Sequence, residues 1–325
     1  MDAKARQILQ YRKEGLYCPP GGFYVDPMRK VKQAVVTHAH ADHAIRGHQA
    51  VLATAPTLDA MKVRYGPRFC ARQQATPYGH PIKLGEVTIT LIPAGHILGS
   101  AQVVIDWNGY RAICAGDYKR ADDPTAQPFE VQPAHLFVTE ATFGVPVYRH
   151  NNAVDEVKRL LDVWRTLDDA PLVIAAYSLG KAQHMQARLR AAGINQPIHV
   201  AKPVLGLNEV YERHGVSLGE AHLLNLDQDL SGEIILAPPG MVADHLPDAL
   251  VSFASGWNRV TKRRQKGRQV LPLTLSDHAD WPALTQTIAE VAPDHLAIAY
   301  GDTKPLQHWA SARGINAFDV KSLAP

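Results

Sequence analysis

Four residues able to ligate a metal fall within six positions in the run His38-Ala39-His40-Ala41-Asp42-His43. The spacers are alanines, so nothing bulky keeps the imidazoles and the carboxylate from converging. Histidine and carboxylate donors suit zinc or manganese, and they build a polar, hydrolytic kind of site rather than a closed thiolate one. Packing four such groups together without a shared ligand would carry a heavy desolvation cost. Two further segments offer donors. In Pro93-Ala94-Gly95-His96, the glycine allows close backbone approach beside the histidine. In Ala115-Gly116-Asp117, the carboxylate could bridge two cations. A cation held this way lowers the pKa of bound water and stabilises charge on phosphoryl or carbonyl oxygens, which points to hydrolysis. The three cysteines, Cys18, Cys70 and Cys114, are scattered and form no Cys-x-x-Cys pair, so they read as buried thiols.

Strand-like segments precede each of these donors. Residues 31–37 (VKQAVVT) form an apolar run that ends at His38, and residues 87–92, 102–107 and 111–115 read as successive strands. Asn108-Gly109 is a hairpin turn signal between the last two. Residues 51–54 and 136–139 are further strands, and residues 56–65 read as a helix. Residues 1–25 read as a lead-in with a Pro19-Pro20-Gly21-Gly22 turn. The texture changes near residue 150. Residues 151–167 have helical periodicity, with Val154, Val157, Leu160, Leu161 and Trp164 on one face. Strand 172–176, helix 180–192 and strand 199–200 make a βαβ pattern, followed by strands 233–237 and 250–255. After Ser276-Asp277-His278 come a helix through Glu290 and a strand over 295–300. The expected division is 1–148, 149–274 and 275–325, with the middle stretch an α/β module of its own.

Composition narrows the class. With 325 residues, 46% hydrophobic and 20% charged, the chain is that of an ordinary globular protein. No apolar run approaches the roughly 18–20 residues of a membrane span. The first fifteen residues are charged and carry no apolar leader, so the expected location is the cytoplasm. A net charge of +3 is compatible with a polyanionic ligand.

The donor pattern resembles the metallo-β-lactamase superfamily. His38, His40, Asp42 and His43 match its His-x-His-x-Asp-His motif, Asp26 its first aspartate, His96 its third motif and Asp117 its fourth. The resemblance implies that His38, His40, His96 and Asp117 hold one metal and that Asp42, His43 and Asp117 hold a second. It implies one or two zinc ions, with manganese an alternative. Asp26 would orient a ligand imidazole through a hydrogen bond. The middle module is similar to the cap of the β-CASP nucleases. Thr139-Glu140-Ala141-Thr142-Phe143-Gly144 resembles motif A, Ser178-Leu179-Gly180-Lys181-Ala182-Gln183 the Gly-Arg-Ala-Gln segment, and Leu275-Ser276-Asp277-His278-Ala279-Asp280 motif B. The implied fold is α/β, a metallo-β-lactamase αββα sandwich with an inserted α/β β-CASP cap.

By the same resemblance Asp42, His278, Glu140 and Asp26 are the candidate catalytic residues. Asp42 would position the attacking hydroxide, His278 would protonate the leaving oxygen, and Glu140 would fix the His278 tautomer. Ser178, Lys181 and Gln183 lie between a strand and a helix start, where either a phosphate contact or a plain helix cap fits. Ser255-Gly256-Trp257 looks like the Gly-Trp segment of DNA-directed members, and Trp257 is either a base-stacking surface or core. Lys262, Arg263 and Arg264 open a run of five cations that could track phosphates or simply be a solvated loop. Tyr300, in Ala297-Ile298-Ala299-Tyr300-Gly301-Asp302, stands where RNA-processing members carry a metal-binding histidine, and a neutral phenol is a poor ligand. The departure resembles the DNA-directed branch, specifically the bacterial ligase-associated DNA exonucleases. The expected function is therefore a metal-dependent DNA exonuclease in repair or end processing. Its partners would be single-stranded DNA or strand ends, with a functional association with a ligase and a helicase. An RNA-processing nuclease and a small-molecule hydrolase of the lactamase or thioesterase kind are the alternatives.

Overall fold

The computed structural model describes residues 3–261 and 269–325, and the chain separates into two compact units. The first gathers everything up to Asp122 together with Ala126–Pro146 and His278–Pro325. The second comprises Asp123–Thr125 and Val147–Asp277, so it is inserted within the sequence of the first.

The first unit opens with helix α1 (Ala3–Ile8) and a meander of β1 (Gln10–Arg12), β2 (Gly15–Cys18) and β3 (Phe23–Val25), where the sequence suggested only a lead-in. These strands have three or four residues each, too few to show a period; their pairing with one another makes them strands. β4 (Gln33–Val35), β5 (Ala50–Ala53) and β6 (Arg72–Ala75) add in parallel, giving a six-stranded sheet in chain order. Helix α2 (Ala55–Tyr65) begins where the Thr54 hydroxyl accepts the Thr57 N–H at 3.4 Å, with a proline in its first turn. A second sheet starts with β7 (Ile82–Leu84), β8 (Val87–Pro93), β9 (Ala101–Trp107), β10 (Tyr110–Cys114) and β11 (Leu136–Glu140). The β9–β10 hairpin turns through Asn108 at φ 48° and Gly109 at φ 75°, the left-handed pair that an Asn-Gly turn supplies.

The inserted unit carries α3 (Ala153–Trp164), β12 (Leu172–Ala175), α4 (Lys181–Ala191), β13 (Ile198–Val200), α5 (Lys202–Arg213), β14 (Ala221–Leu223), β15 (Ile234–Ala237), β16 (Leu250–Ala254) and β17 (Val270–Leu273). Its sheet is wholly parallel in the order β14-β13-β15-β12-β16-β17. Strands buried on both faces explain the unbroken apolar runs LVIA and IILA. Val157, Leu160 and Leu161 of α3 join that core, whereas Val154, in the first turn, is 56% exposed.

The chain returns to the first unit with α6 (Trp281–Val291), β18 (His295–Ala299), α7 (Thr303–Ser311) and β19 (Asn316–Asp319). The second sheet is then completed in the order β19-β18-β11-β10-β9-β8-β7. Alternate residues of its strands face opposite ways, as a pleated strand requires. Leu91, Val103, Cys114, Val138 and Ala297 join Val35 and Leu52 of the first sheet in one core. Val104, Ile113, Phe137, Leu296 and Ile298 pack with Leu284 and Ile288 of α6 and Leu306 of α7. Two sheets face each other with helices outside, the αββα arrangement that the metallo-β-lactamase resemblance implies, and the insertion corresponds to the expected cap. Among the described residues no helix is long and apolar enough to cross a membrane.

Candidate metal centre

The donors cluster where strands of both sheets end. β4 delivers Thr37 and His38, β8 leads to His96, β10 to Asp117, β11 ends on Glu140, and His278 opens the return segment. Two glycines are required for this approach. A side chain at Gly95, at φ 75°, would collide with the Lys119 carbonyl, and one at Gly116, at φ 60°, would strike the Thr37 hydroxyl.

His38, His40, His96 and Asp117 each place one ligand atom within 4.8 Å of all the others. His40 Nδ1 lies 3.2 Å from His38 Nε2 and 3.0 Å from His96 Nε2, and Asp117 Oδ2 lies 3.5 Å from His38 Nε2. Asp117 Oδ2 is also 3.4 Å from His43 Nε2 and 3.8 Å from His96 Nε2. Lone pairs of neutral imidazoles thus converge with a carboxylate, a donor set that fits a divalent cation of the zinc or manganese kind. Asp42 stands apart: its side chain is 75% exposed, with Oδ2 3.7 Å from His43 Nε2.

Asp26 organises the neighbourhood. Its Oδ1 accepts the Thr37 N–H at 2.8 Å and its Oδ2 the Thr37 hydroxyl at 2.6 Å, while His43 Nδ1 meets Oδ2 at 2.8 Å. Having donated to Asp26, the Thr37 hydroxyl accepts from His38 Nδ1 at 3.0 Å, which leaves the His38 Nε2 lone pair for a ligand. Sequence reasoning missed Thr37. Its signal was a hydroxyl residue immediately before the histidine run at the end of an apolar strand.

Charge follows burial and pairing. Burial, aided by the neighbouring histidines, drives the His38 pKa well below its usual value and keeps the ring in its ligand form. Burial also works against a charged His43, but the carboxylates of Asp117 and Asp26 outweigh it and hold its pKa well above the usual value. Asp117 is the reverse case. Its burial favours the acid form, and the charges of His43 and His278 override that and lower its pKa.

A second pair borders the centre. Glu140 Oε2 lies 2.9 Å from His278 Nδ1, and its Oε1 accepts the Tyr118 N–H at 2.7 Å. The His278 ring sits 4.7 Å from that of His96, and its Nδ1 is 3.9 Å from Asp117 Oδ2. Tyr300 lies at the end of β18 with φ 56°, its ring 5.1 Å from the His43 ring. Desolvation beside His43 and the surrounding carboxylates raises the phenol pKa, so it stays neutral although the residue is partly exposed.

The expected substrate contacts of the cap divide. Lys181 is only 4% exposed, and its Nζ pairs with Asp277 Oδ1 at 2.9 Å. Gln183 is fully buried: its Oε1 accepts the Gly180 N–H, and its amide donates to the Ser178 carbonyl and to Asn208. These polar ends are thus engaged within the inserted unit. Trp257 remains 46% exposed and packs edge-on against Tyr148 at 5.2 Å. Lys262, Arg263 and Arg264 lie outside the described residues.

Fold and site together resemble those of the metallo-β-lactamase type, with a donor set able to hold a divalent cation. The comparisons sharpen this. A probable DNA ligase of Opitutus terrae is 26% identical over 314 residues, which is 94% of this chain and 30% of that protein. Ribonuclease TTHA0252 of Thermus thermophilus is 28% identical over 229 residues, 61% of this chain and 52% of the relative. The chain therefore spans only about a third to a half of these relatives. A solved structure of a protein of unknown function from Enterococcus faecalis V583 superposes with a TM-score of 0.59 at 12% identity, over 82% of this chain and 74% of that one. No protein-family model matches the chain. With these relatives, the chain is similar to nucleases of the metallo-β-lactamase/β-CASP kind.

Proposed function

We propose that this protein is a metal-dependent DNA exonuclease acting on single strands or strand ends during repair or end processing. The observation that carries the reading is the convergence of His38, His40, His43, His96 and Asp117 beside the Glu140–His278 pair. His38, His40, His96 and Asp117 would hold one cation, with Asp42, His43 and Asp117 offered to a second. Zinc fits the donors, and manganese is accepted by the same set. A cation held by these residues would supply Lewis acidity for acidifying water and stabilising phosphoryl charge. The chain's own residues do the rest. Asp26 locks the His43 ring, and Thr37 locks that of His38. Glu140 takes the Nδ1–H of His278 and leaves Nε2 as the atom that hands a proton to the departing oxygen. Asp42, exposed beside His43, would orient the attacking water.

DNA is favoured by Tyr300 standing where a histidine ligand would be, and by the relative named a probable DNA ligase. That relative also supports a functional association with a ligase, and repair would further involve a helicase. RNA is the second reading, favoured by the relative named a ribonuclease. The test uses metal-stripped protein, end-labelled single-stranded DNA and matched RNA, with zinc, manganese or magnesium restored and Asp42→Ala as the control. Metal-dependent shortening of DNA well ahead of RNA, lost in the variant, is the expected result. Preferential cleavage of RNA moves the assignment to the second reading.

A further inference from the structure

The metal centre has an apolar neighbour that none of the roles above uses. A cavity of about 370 Å³ opens in the first unit beside Asp26, Gly116 and Tyr300. That volume falls within the roughly 300–1,000 Å³ usual for small-molecule sites. Its floor is apolar and buried, formed by Val25, Cys114, Val138 and Ile298. Its mouth is open, with Met28 51% and Tyr300 46% exposed and Lys321 at the rim.

Two features tie this cavity to the site. The first is adjacency. Asp26 lines it and at the same time holds His43, and Gly116 lines it and directly precedes Asp117. The second is backbone conformation. Among the described residues five that are not glycine adopt positive φ, and two of them, Asp26 at 43° and Tyr300 at 56°, line this one cavity. Such conformations persist where the surroundings enforce them and concentrate at binding and catalytic sites. Asp26 uses its conformation to accept three hydrogen bonds within the centre. Tyr300 sets its ring 5.1 Å from that of His43 and within the cavity lining.

We propose that this cavity seats the nucleoside attached to the scissile phosphate, its base against the apolar floor and beside the Tyr300 ring. The inference rests on the nuclease reading above. A phosphodiester engaged at the metal centre carries a nucleoside on either side, and the cavity begins one residue from a ligand. Apolar walls suit the faces of a base, an aromatic rim suits stacking, and Thr303 and Asp319 in the lining offer polar atoms to its edge. Lys321 at the rim suits the phosphate of the same nucleotide.

The test is binding, so it does not depend on turnover. Manganese-loaded full-length protein is titrated calorimetrically with 2′-deoxyadenosine 5′-monophosphate and with 2-deoxyribose 5-phosphate, which lacks the base. The nucleotide is expected to bind at least tenfold more tightly. Met28→Trp and, separately, Lys321→Trp fill the mouth from exposed positions and should abolish that preference while circular dichroism shows the fold intact. Equal affinity for the two ligands, or a preference that survives in both folded variants, overturns the proposal. The two readings fail separately: DNA cleavage without a base preference removes the cavity and leaves the nuclease. A base preference that the variants abolish, without cleavage of DNA or RNA, supports the cavity and removes the nuclease.

Discussion

At the scale of single residues, the centre depends on hydrogen bonds that set which nitrogen of each imidazole is available. Asp26→Asn should free the His43 ring and unsettle Thr37, and through it His38. The expected loss is about 10–100-fold in metal affinity, read by competition with a chelator of known affinity. Under the role proposed for His278, Glu140→Gln should spare metal content and lower the rate of strand cleavage by about 10²–10⁴-fold, because His278 loses its carboxylate partner. Binding should also be pH-linked. His43 holds its proton well above its usual pKa in the metal-free protein and must lose it to act as a ligand. Affinity should therefore rise with pH through and beyond neutrality. Calorimetry in buffers of different ionisation enthalpy would count the proton released. The ligand run itself was legible in the sequence because its residues are nearly consecutive and follow an apolar strand. Lys181 was less so. It read as a candidate phosphate contact because a lysine at a helix start is a local pattern, whereas its partner Asp277 is a long way off in the chain and leaves no local trace.

At the scale of elements, most of the longer strands and several helices were found, whereas helices α5 and α7 and several short strands were passed over. Strands β8 to β11 and helices α2, α3, α4 and α6 lie within a residue or three of where alternation and caps placed them. β1 to β3 were passed over because three residues cannot display a period, and their identity comes from pairing. Helix α3 offers two tests. Leu160 is fully buried in the cap core, and Leu160→Ala should destabilise the cap by about 2–5 kcal/mol in urea unfolding. Glu156, in the first turn of α3, is the acid-sensitive point. Burial alone would raise its carboxyl pKa, but bonds from Arg159, Asn151 and the Thr274 N–H outweigh it and hold the pKa below the ordinary 4.5. A depressed carboxyl contributes stability above its unfolded pKa, and that contribution is lost as pH falls through the lowered value. Thermal melts below pH 4.5 should fall more steeply for the parent than for Glu156→Gln.

At the scale of the whole molecule, bound metal and folding should be coupled, because a cation would gather ligands from several strand ends of the first unit. A cation at a hundred times its dissociation constant adds about 2.7 kcal/mol. That should raise the first unit's melting transition by roughly 5–10 °C, reversed by a chelator. One topological fact has a consequence in time. β11 pairs in parallel with β18, Leu136 opposite His295, so the middle of the second sheet joins strands made on either side of the entire insertion. Synthesis at about 5–20 residues per second puts roughly 8–30 s between those two strands. A nascent chain on the ribosome therefore holds the six metal-site residues His38 to Asp117, and Glu140 as well, long before it has His278 or a neighbour for β11. On the proposed reading, the half-made protein would hold its metal ligands without its proton donor, and cutting would wait until translation has passed the insertion.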